Sequence, residues 1–225
     1  MSLFLTGTDT GVGKTFVAVQ LLRLLRAAGV ASVGMKPICC GDREDARQLL
    51  AASTEGTTLD EINPVWLQSP AAPSVAAEIE HVEIDLAKID QHFRVLAERF
   101  EVVIVEGVGG WLVPITSGLF VSDLAKRLDL PVVIIAENRL GCLNHTLLTV
   151  NSVRNRGVAV AAVVLNEAGA TADLAQSTNE GELRRLLPDT LLIPLKQNGE
   201  ELRANLAQLF SGKAQKGVFN KLTQL

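Results

Sequence analysis

The stretch Gly7-Thr8-Asp9-Thr10-Gly11-Val12-Gly13-Lys14-Thr15 constrains this chain more than any other. Leu3-Phe4-Leu5-Thr6 before it reads as a short apolar strand, and residues 16–26 after it carry apolar side chains at helical spacing. A glycine loop between a strand and a helix is the setting of a phosphate-binding P-loop. Its glycines let successive backbone N–H groups converge on an anion, and the helix start adds partial positive charge. In such a loop Lys14 reaches the terminal phosphates, and the Thr15 hydroxyl is placed to ligate Mg²⁺. One detail departs from the usual pattern, because Thr8 stands where the first glycine belongs and the glycine is one residue earlier, at Gly7. The bland alternative is a glycine-rich turn with no ligand; Gly-Lys-Thr at a strand-to-helix junction argues against it.

The remaining punctuation repeats the strand–helix alternation. Ser32–Met35 reads as a strand that delivers Lys36-Pro37, and Pro37, lacking an N–H, ends the ladder. Gly41-Asp42-Arg43-Glu44-Asp45 opens a helix to about Ser53, with acids in the first turn where the helix dipole favours them. Residues 54–77 hold Pro64, Pro70 and Pro73 with little periodicity. They read as a long irregular excursion, a lid or substrate loop in preference to a linker. Further helices are expected over 85–99, 122–128, 141–156, 178–187 and 199–210. Strands are expected over 102–105, 131–136, 158–165 and 191–193. Each strand is apolar throughout, as in a parallel sheet covered on both faces. The expected fold is therefore α/β: a P-loop-type, mostly parallel sheet with helices on both faces, in three layers. Residues 1–210 would form a single domain, and 211–225 a tail of unassigned role, read as fraying in preference to a weak amphipathic end built on Lys213, Lys216 and Lys221 with Val218, Phe219 and Leu222.

Composition narrows the rest. The 225 residues carry a net charge of −4, which advertises no face for nucleic acid or anionic lipid. Apolar runs stop short of a membrane span, and a strand begins at once, so no signal peptide is expected. Three cysteines make no disulfide framework, which suggests a cytoplasmic chain.

In such a sheet ligands bind outside the carboxyl ends of the strands. The P-loop, Lys36, Glu106, residues 137–140, Asn166 and Pro194 all fall there. Lys36 is either a strand-capping lysine or an ammonium for a γ-phosphate. Glu106, after four β-branched residues, needs a partner, and Mg²⁺ shared with Thr15 is the economical one. Asp45 is a second candidate ligand. Gly107, Val108 and Gly109 let the backbone come close to a ligand. Asn166 is either a turn residue or an amide suited to an adenine edge. The helix beginning at Gly141-Cys142-Leu143-Asn144 offers N–H groups to a carboxylate. Cys39 and Cys40 have no matching pair, so no zinc site is expected.

Taken in order, Gly7-Thr8-Asp9-Thr10-x-Val12-Gly13-Lys14-Thr15, Lys36-Pro37, Val105-Glu106-Gly107-x-Gly109-Gly110-Trp111, Leu140-Gly141-Cys142-Leu143-Asn144-His145 and Asn166 closely resemble the dethiobiotin synthetase family. The proline-containing stretch from Asn63-Pro64 to Pro73 resembles its counterpart there. The likeness covers about residues 1–210. It implies an ATP-dependent cyclo-ligase that joins CO₂ to 7,8-diaminononanoate through a carbamate and a carbamic-phosphoric anhydride. It implies Lys36 and Lys14 as catalytic lysines, phosphates cradled by Gly11, Val12, Gly13, Lys14, Thr15 and Phe16, and Mg²⁺ among Thr15, Asp45 and Glu106. It implies adenine held by Asn166, Pro194, Leu195, Lys196 and Glu201. Thr10, Cys40 and Gly141–Asn144 would bind the diamine, the last of these from the partner of a homodimer. Two features depart from the family: Cys40 replaces a usual serine, and Glu137-Asn138-Arg139 replaces a smaller, more neutral segment. Two rival readings remain at this point. A switch-type ATPase usually carries a further lysine early in the loop, where this chain has Thr8, Asp9 and Thr10. An amide-forming synthetase normally comes fused to a glutamine-hydrolysing domain, for which 225 residues leave no room.

Overall fold

A computed structural model describes residues 2–167, 174–196, 204–210 and 216–222. Six parallel strands form the central sheet, in the order β2 (Ser32–Met35), β5 (Val102–Gly110), β1 (Ser2–Gly7), β6 (Val132–Glu137), β7 (Val160–Asn166) and β8 (Leu192–Leu195). Their sequences explain their place. Leu3, Phe4 and Leu5, Val102 to Val105, and Val132 to Ala136 are wholly buried, with no polar face left for water.

Helix α1 (Lys14–Ala27) carries the chain from β1 toward β2, whereas α6 (Val121–Arg127) and α7 (Cys142–Asn155) lead away toward β6 and β7. Right-handed crossovers in opposite directions put these helices on opposite faces of the sheet. The three-layer α/β expectation is met. The reversal of direction falls between β1 and β6, the place where such sheets bind ligands.

The excursion after β2 differs from the irregular loop expected. The chain leaves the main sheet at Lys36-Pro37 and forms β3 (Ile38–Cys40), so Pro37 interrupts pairing without ending strand structure. Helix α2 (Glu44–Ala52) follows, then α3 (Leu59–Ile62), strand β4 (Val65–Leu67), which pairs in parallel with β3, and α4 (Pro73–Glu80). Elements of three to eight residues are too short to display a period, which is why prolines dominated the sequence pattern. The local chemistry is nonetheless regular. Thr58 and Glu61 cap α3 reciprocally, and Pro73 occupies the first turn of α4. Helix α5 (Leu86–Arg99) is capped by Asp85, whose carboxylate accepts from the Ala87 and Lys88 N–H groups.

Other boundaries shift. Strand β5 runs on through Glu106 to Gly110 instead of stopping at Val105, because its glycines can continue the ladder beside β1. Helix α8 spans Leu174–Leu186, starting earlier than expected. Residues 204–207 and the 3₁₀ turn Gln208–Phe210 lie on the last expected helix; its 199–203 portion lies outside the described residues. The tail was expected to fray, yet Lys216–Leu222 is a helix, α9. Leu222 is buried and the Lys221 ammonium lies 3.2 Å from Glu101, so apolar cover and an ion pair hold it against the body.

Candidate active site

The P-loop leaves β1 and enters α1 through Gly13, whose φ of 96° is a left-handed value that glycine adopts at little cost. Space matters as much there. A Cβ on Gly13 would lie 2.3 Å from Asn166 Nδ2, which itself donates to the Val12 carbonyl at 3.0 Å. Gly13→Ala should therefore cost about 1–3 kcal/mol of stability and displace the loop. Equilibrium unfolding with nucleotide titration checks this, and an unstrained variant with wild-type ATP affinity would refute it.

Lys14 is mostly buried and its Nζ donates to the Asp9 carbonyl at 3.1 Å. Burial, and secondarily the nearby Lys36 ammonium, hold its pKa below the ordinary lysine value. Thr15 Oγ1 donates to Glu106 Oε1 at 2.8 Å. Lys36 completes the group, with its Nζ 2.5 Å from Glu106 Oε1 and 2.7 Å from Asp45 Oδ2. Lys36 is 3% exposed and Glu106 0%, so this pair is withdrawn from water. Burial alone would lower the Lys36 pKa; the charges of Glu106 and Asp45 outweigh it and raise the ammonium above its usual value. Burial likewise pushes the Asp45 carboxyl up, but the Lys36 charge and hydrogen bonds from Lys36 and Thr15 hold it low.

These side chains floor a cavity of about 710 Å³. Of the residues expected in the site, Thr10, Gly11, Gly13, Lys14, Thr15, Phe16, Lys36, Cys40, Asp45, Glu106, Val108 and Gly109 line it. Val12 is buried beneath the loop, and Gly107 packs its backbone against Phe4 and Val121. Asn166 sits outside the cavity at the end of β7, opposite Leu195, with Pro194 and Lys196 beside it on and after β8. Its Oδ1 is buried without a hydrogen-bond partner among the described residues, an acceptor available to a ligand. Glu201 lies outside the described residues. Gly141–Asn144 do not line this chain's cavity: Gly141 caps α7 in a left-handed conformation, Cys142 is buried, Leu143 is half-buried and Asn144 is exposed.

Sequence reasoning missed Cys39, Asp42 and Val113 as walls, whereas Pro70–Pro73 belong to the excursion read as a lid or substrate loop, and they do line the cavity. The Glu137-Asn138-Arg139 segment also gains an account. Buried Asn138 donates to the Gln176 carbonyl at 3.0 Å and accepts from Asn179 Nδ2 at 2.9 Å, tying α8 to the end of β6. Arg139 pairs with Glu137 and lies 3.9 Å from the Asp9 carboxylate on the P-loop.

A divalent cation suits this donor set. Thr15, Asp45 and Glu106 offer hard oxygens, and Glu106 Oε2 is buried with no partner among the described residues. No cluster of three or more His, Cys, Asp or Glu among the described residues could cage a metal. Mg²⁺ is generally held by few protein ligands together with substrate phosphates.

Cys40 is half-buried on the cavity wall, and burial, with Glu80 adding to it, pushes its thiol up to about 11. It is thus a neutral, weak donor at neutral pH. Cys40→Ser should be tolerated or raise turnover by up to about tenfold, through a stronger hydrogen bond to the ligand. A collapse in rate would assign the thiol a role of its own.

A P-loop at the reversal point of a parallel sheet, with a second buried lysine facing it, defines a nucleotide-using α/β enzyme of the P-loop class. The AAA domain family model matches residues 1–194. ATP-dependent dethiobiotin synthetase BioD of Akkermansia muciniphila is 44% identical over 79% of this chain and 84% of its own length. The proteins of that name from Anaeromyxobacter dehalogenans and Aromatoleum aromaticum are 46% and 44% identical, over 82% and 84% of this chain and 84% and 87% of theirs. The chain belongs to the dethiobiotin synthetase family. Among solved structures, the septum site-determining protein MinD of Pyrococcus horikoshii, complexed with Mg-ADP, superposes with a TM-score of 0.56 at 14% identity, covering 100% of this chain and 95% of that one. A ParA family ATPase from Chlorobium tepidum gives 0.52 at 14%, covering 99% of each. At that identity these share the fold alone.

Proposed function

We infer that the chain is an ATP-dependent dethiobiotin synthetase, a ligase that closes the ureido ring of dethiobiotin on 7,8-diaminononanoate. The observation that carries this reading, with the family, is the Lys36 ammonium buried between Glu106 and Asp45 on the floor of the P-loop cavity. We propose that one amine takes up CO₂ as a carbamate, whose oxygen attacks the γ-phosphorus of ATP. ADP leaves, and the second amine then closes the ring and expels phosphate. Phosphoryl transfer of this kind asks the protein for positioning and charge more than covalent help.

The chain's own groups meet that demand. The loop N–H groups of Gly11 to Phe16 hold the phosphates. Lys14 and Lys36 are the catalytic lysines, and their charge offsets the negative charge gathered between carbamate and γ-phosphate. Thr15, Asp45 and Glu106 would hold Mg²⁺, which supplies charge neutralisation across the phosphate oxygens when bound. Asn166, Pro194, Leu195, Lys196 and Glu201 are assigned to adenine; the open Asn166 Oδ1 supports this for the exocyclic amine. Thr10 and Cys40 face the diamine. Gly141–Asn144 stand away from their own cavity beside exposed Leu140, which supports a homodimer in which they serve the partner's site. Residues 1–210 act as one catalytic unit with 211–225 appended to it, in the cytoplasm and without nucleic acid. No helix among the described residues is long and apolar enough to cross a membrane.

The test supplies Mg-ATP, labelled bicarbonate and 7,8-diaminononanoate and looks for labelled dethiobiotin by mass. Product only with all components supports the ligase. ATP hydrolysis that ignores the diamine overturns it.

A further inference from the structure

We propose that Asn63 is a positioning residue for the reaction, acting through the main chain of Lys36. The proposal rests on the role given to Lys36 above. At Lys36-Pro37 the chain passes from the main sheet to the small β3–β4 sheet. Met35 is the last residue of β2 and Ile38 the first of β3, so neither ladder holds the two residues between them. The lysine that must aim its ammonium therefore stands on backbone that regular structure does not fix.

Asn63, at the end of α3, supplies the missing hold. Its side chain is 2% exposed. Nδ2 donates to the Lys36 carbonyl at 2.8 Å and to the Val65 carbonyl at 2.9 Å. Oδ1 accepts from Arg43 Nε at 2.8 Å. The amide is thus engaged at both ends, in one orientation only, because reversing it would point an oxygen at two carbonyls. The Lys36 N–H donates to the Ile62 carbonyl at 2.9 Å, and the Pro37 carbonyl accepts from Val65 N at 3.2 Å. Residues 62–65 grip the Lys36 peptide on both sides.

Arg43 extends the grip to the other half of the ion pair. It is the N-cap residue of α2, two positions before Asp45. Its guanidinium also donates to the carbonyls of Leu59 and Asn63, pairs with Asp60 at 2.9 Å and lies 5.3 Å from the centre of the Trp66 ring. Asn63 thereby sets the Lys36 backbone and the start of the helix carrying Asp45 in one register. An error of about 1 Å at a reacting group is enough to cost roughly 100-fold in rate.

The test compares Asn63→Asp, Asn63→Ala and Arg43→Met with the wild type, measuring dethiobiotin formation and, separately, nucleotide affinity. Asn63→Asp keeps the oxygen that Arg43 donates to and gives the guanidinium a charged partner. It turns the bonds to the Lys36 and Val65 carbonyls into oxygen–oxygen repulsion. If Asn63 served only to hold Arg43, aspartate would spare activity and alanine would not. Acting through Lys36, Asn63 should be intolerant of both. We expect kcat to fall roughly 10- to 100-fold in both variants, with ATP affinity and KM within about twofold of wild type. Wild-type kcat in a folded Asn63→Asp protein overturns the proposal, and so does a parallel loss of kcat and ATP affinity. If neither Asn63 variant folds, Arg43→Met decides. It keeps the stem and leaves Asn63 Oδ1 without its Nε donor, and several-fold lower kcat at unchanged ATP affinity is expected; unchanged kcat overturns the proposal. A wild-type chain that makes no dethiobiotin fails the functional reading instead, before any variant is compared.

Discussion

Lys36→Ala should lower dethiobiotin formation by about 10³-fold or more, while ATP still binds. The ammonium is 3% exposed and faces a cavity whose other cation, Lys14, is committed to the P-loop. Little water reaches it, so its charge is poorly screened and acts strongly on a developing phosphoryl transition state. The phosphate cradle, in contrast, is built from loop N–H groups that the substitution leaves in place, and nucleotide affinity should change little. Stability carries a second expectation. Glu106 is wholly buried, and removing Lys36 leaves its carboxylate with Thr15 as its remaining close partner. Breaking a buried pair on one side costs about 3–5 kcal/mol. A divalent cation among Thr15, Asp45 and Glu106 would restore the missing charge. The variant's Tm should therefore be depressed in a chelator and rise with added Mg²⁺ by more than the wild type's. A kcat within tenfold of wild type would end the catalytic assignment, and equal Mg²⁺ dependence of the two proteins would end the electrostatic one.

Much of this site was legible because the chemistry lies at strand ends, where a buried apolar run stops abruptly at a polar residue. Lys36 after Ser32–Met35 and Glu106 after Val102–Val105 are both visible in that way, and both reach the cavity floor. Glycines at positive φ were legible for a related reason, since Gly11 and Gly13 stand where a loop must curl. What stayed hidden depends on contacts between short elements. Strands β3 and β4 have three residues each, and their pairing joins positions 27 apart, as Ile38 does with Val65. No period exists in three residues, so Asn63 reads as a turn residue before a proline. Its role emerges only when residue 36 is brought against it. Asp42 was hidden likewise, because it forms a cavity wall by position in space; the prolines at 70 and 73, in contrast, marked a lid or substrate loop, and Pro70–Pro73 reach that wall. The end of the chain errs in the other direction. Helix α9 shows only a weak amphipathic pattern, which the sequence ranks below fraying, and burial of Leu222 settles what its own propensity does not.

Glu106→Gln should separate charge from shape at the centre of the site. The amide keeps an oxygen for Thr15 and Lys36 and fills the same volume, so packing against the sheet is preserved. What disappears is the charge that, with Asp45, holds the Lys36 ammonium above its usual pKa. In the wild type that raised pKa makes the pair's contribution complete at and below the ordinary lysine value near pH 10.4. It is lost only as pH climbs through the still higher folded-state value. Burial is already the largest single influence on the Lys36 ammonium, and in the variant half-exposed Asp45 opposes it without Glu106, so the folded-state pKa should fall below the unfolded one. The unfolded chain then binds more protons across that interval, so stability must rise with pH there. The expected result is a Tm well below wild type at neutral pH, corresponding to about 3 kcal/mol, with the gap narrowing as pH rises toward the ordinary lysine value. Turnover should fall by at least about 100-fold at every pH, since the proposed cation ligand and the partner that orients the lysine go together. A gap in Tm that stays constant or widens with pH would show that Glu106 does not govern the Lys36 charge. Near-normal turnover would remove it from the catalytic centre.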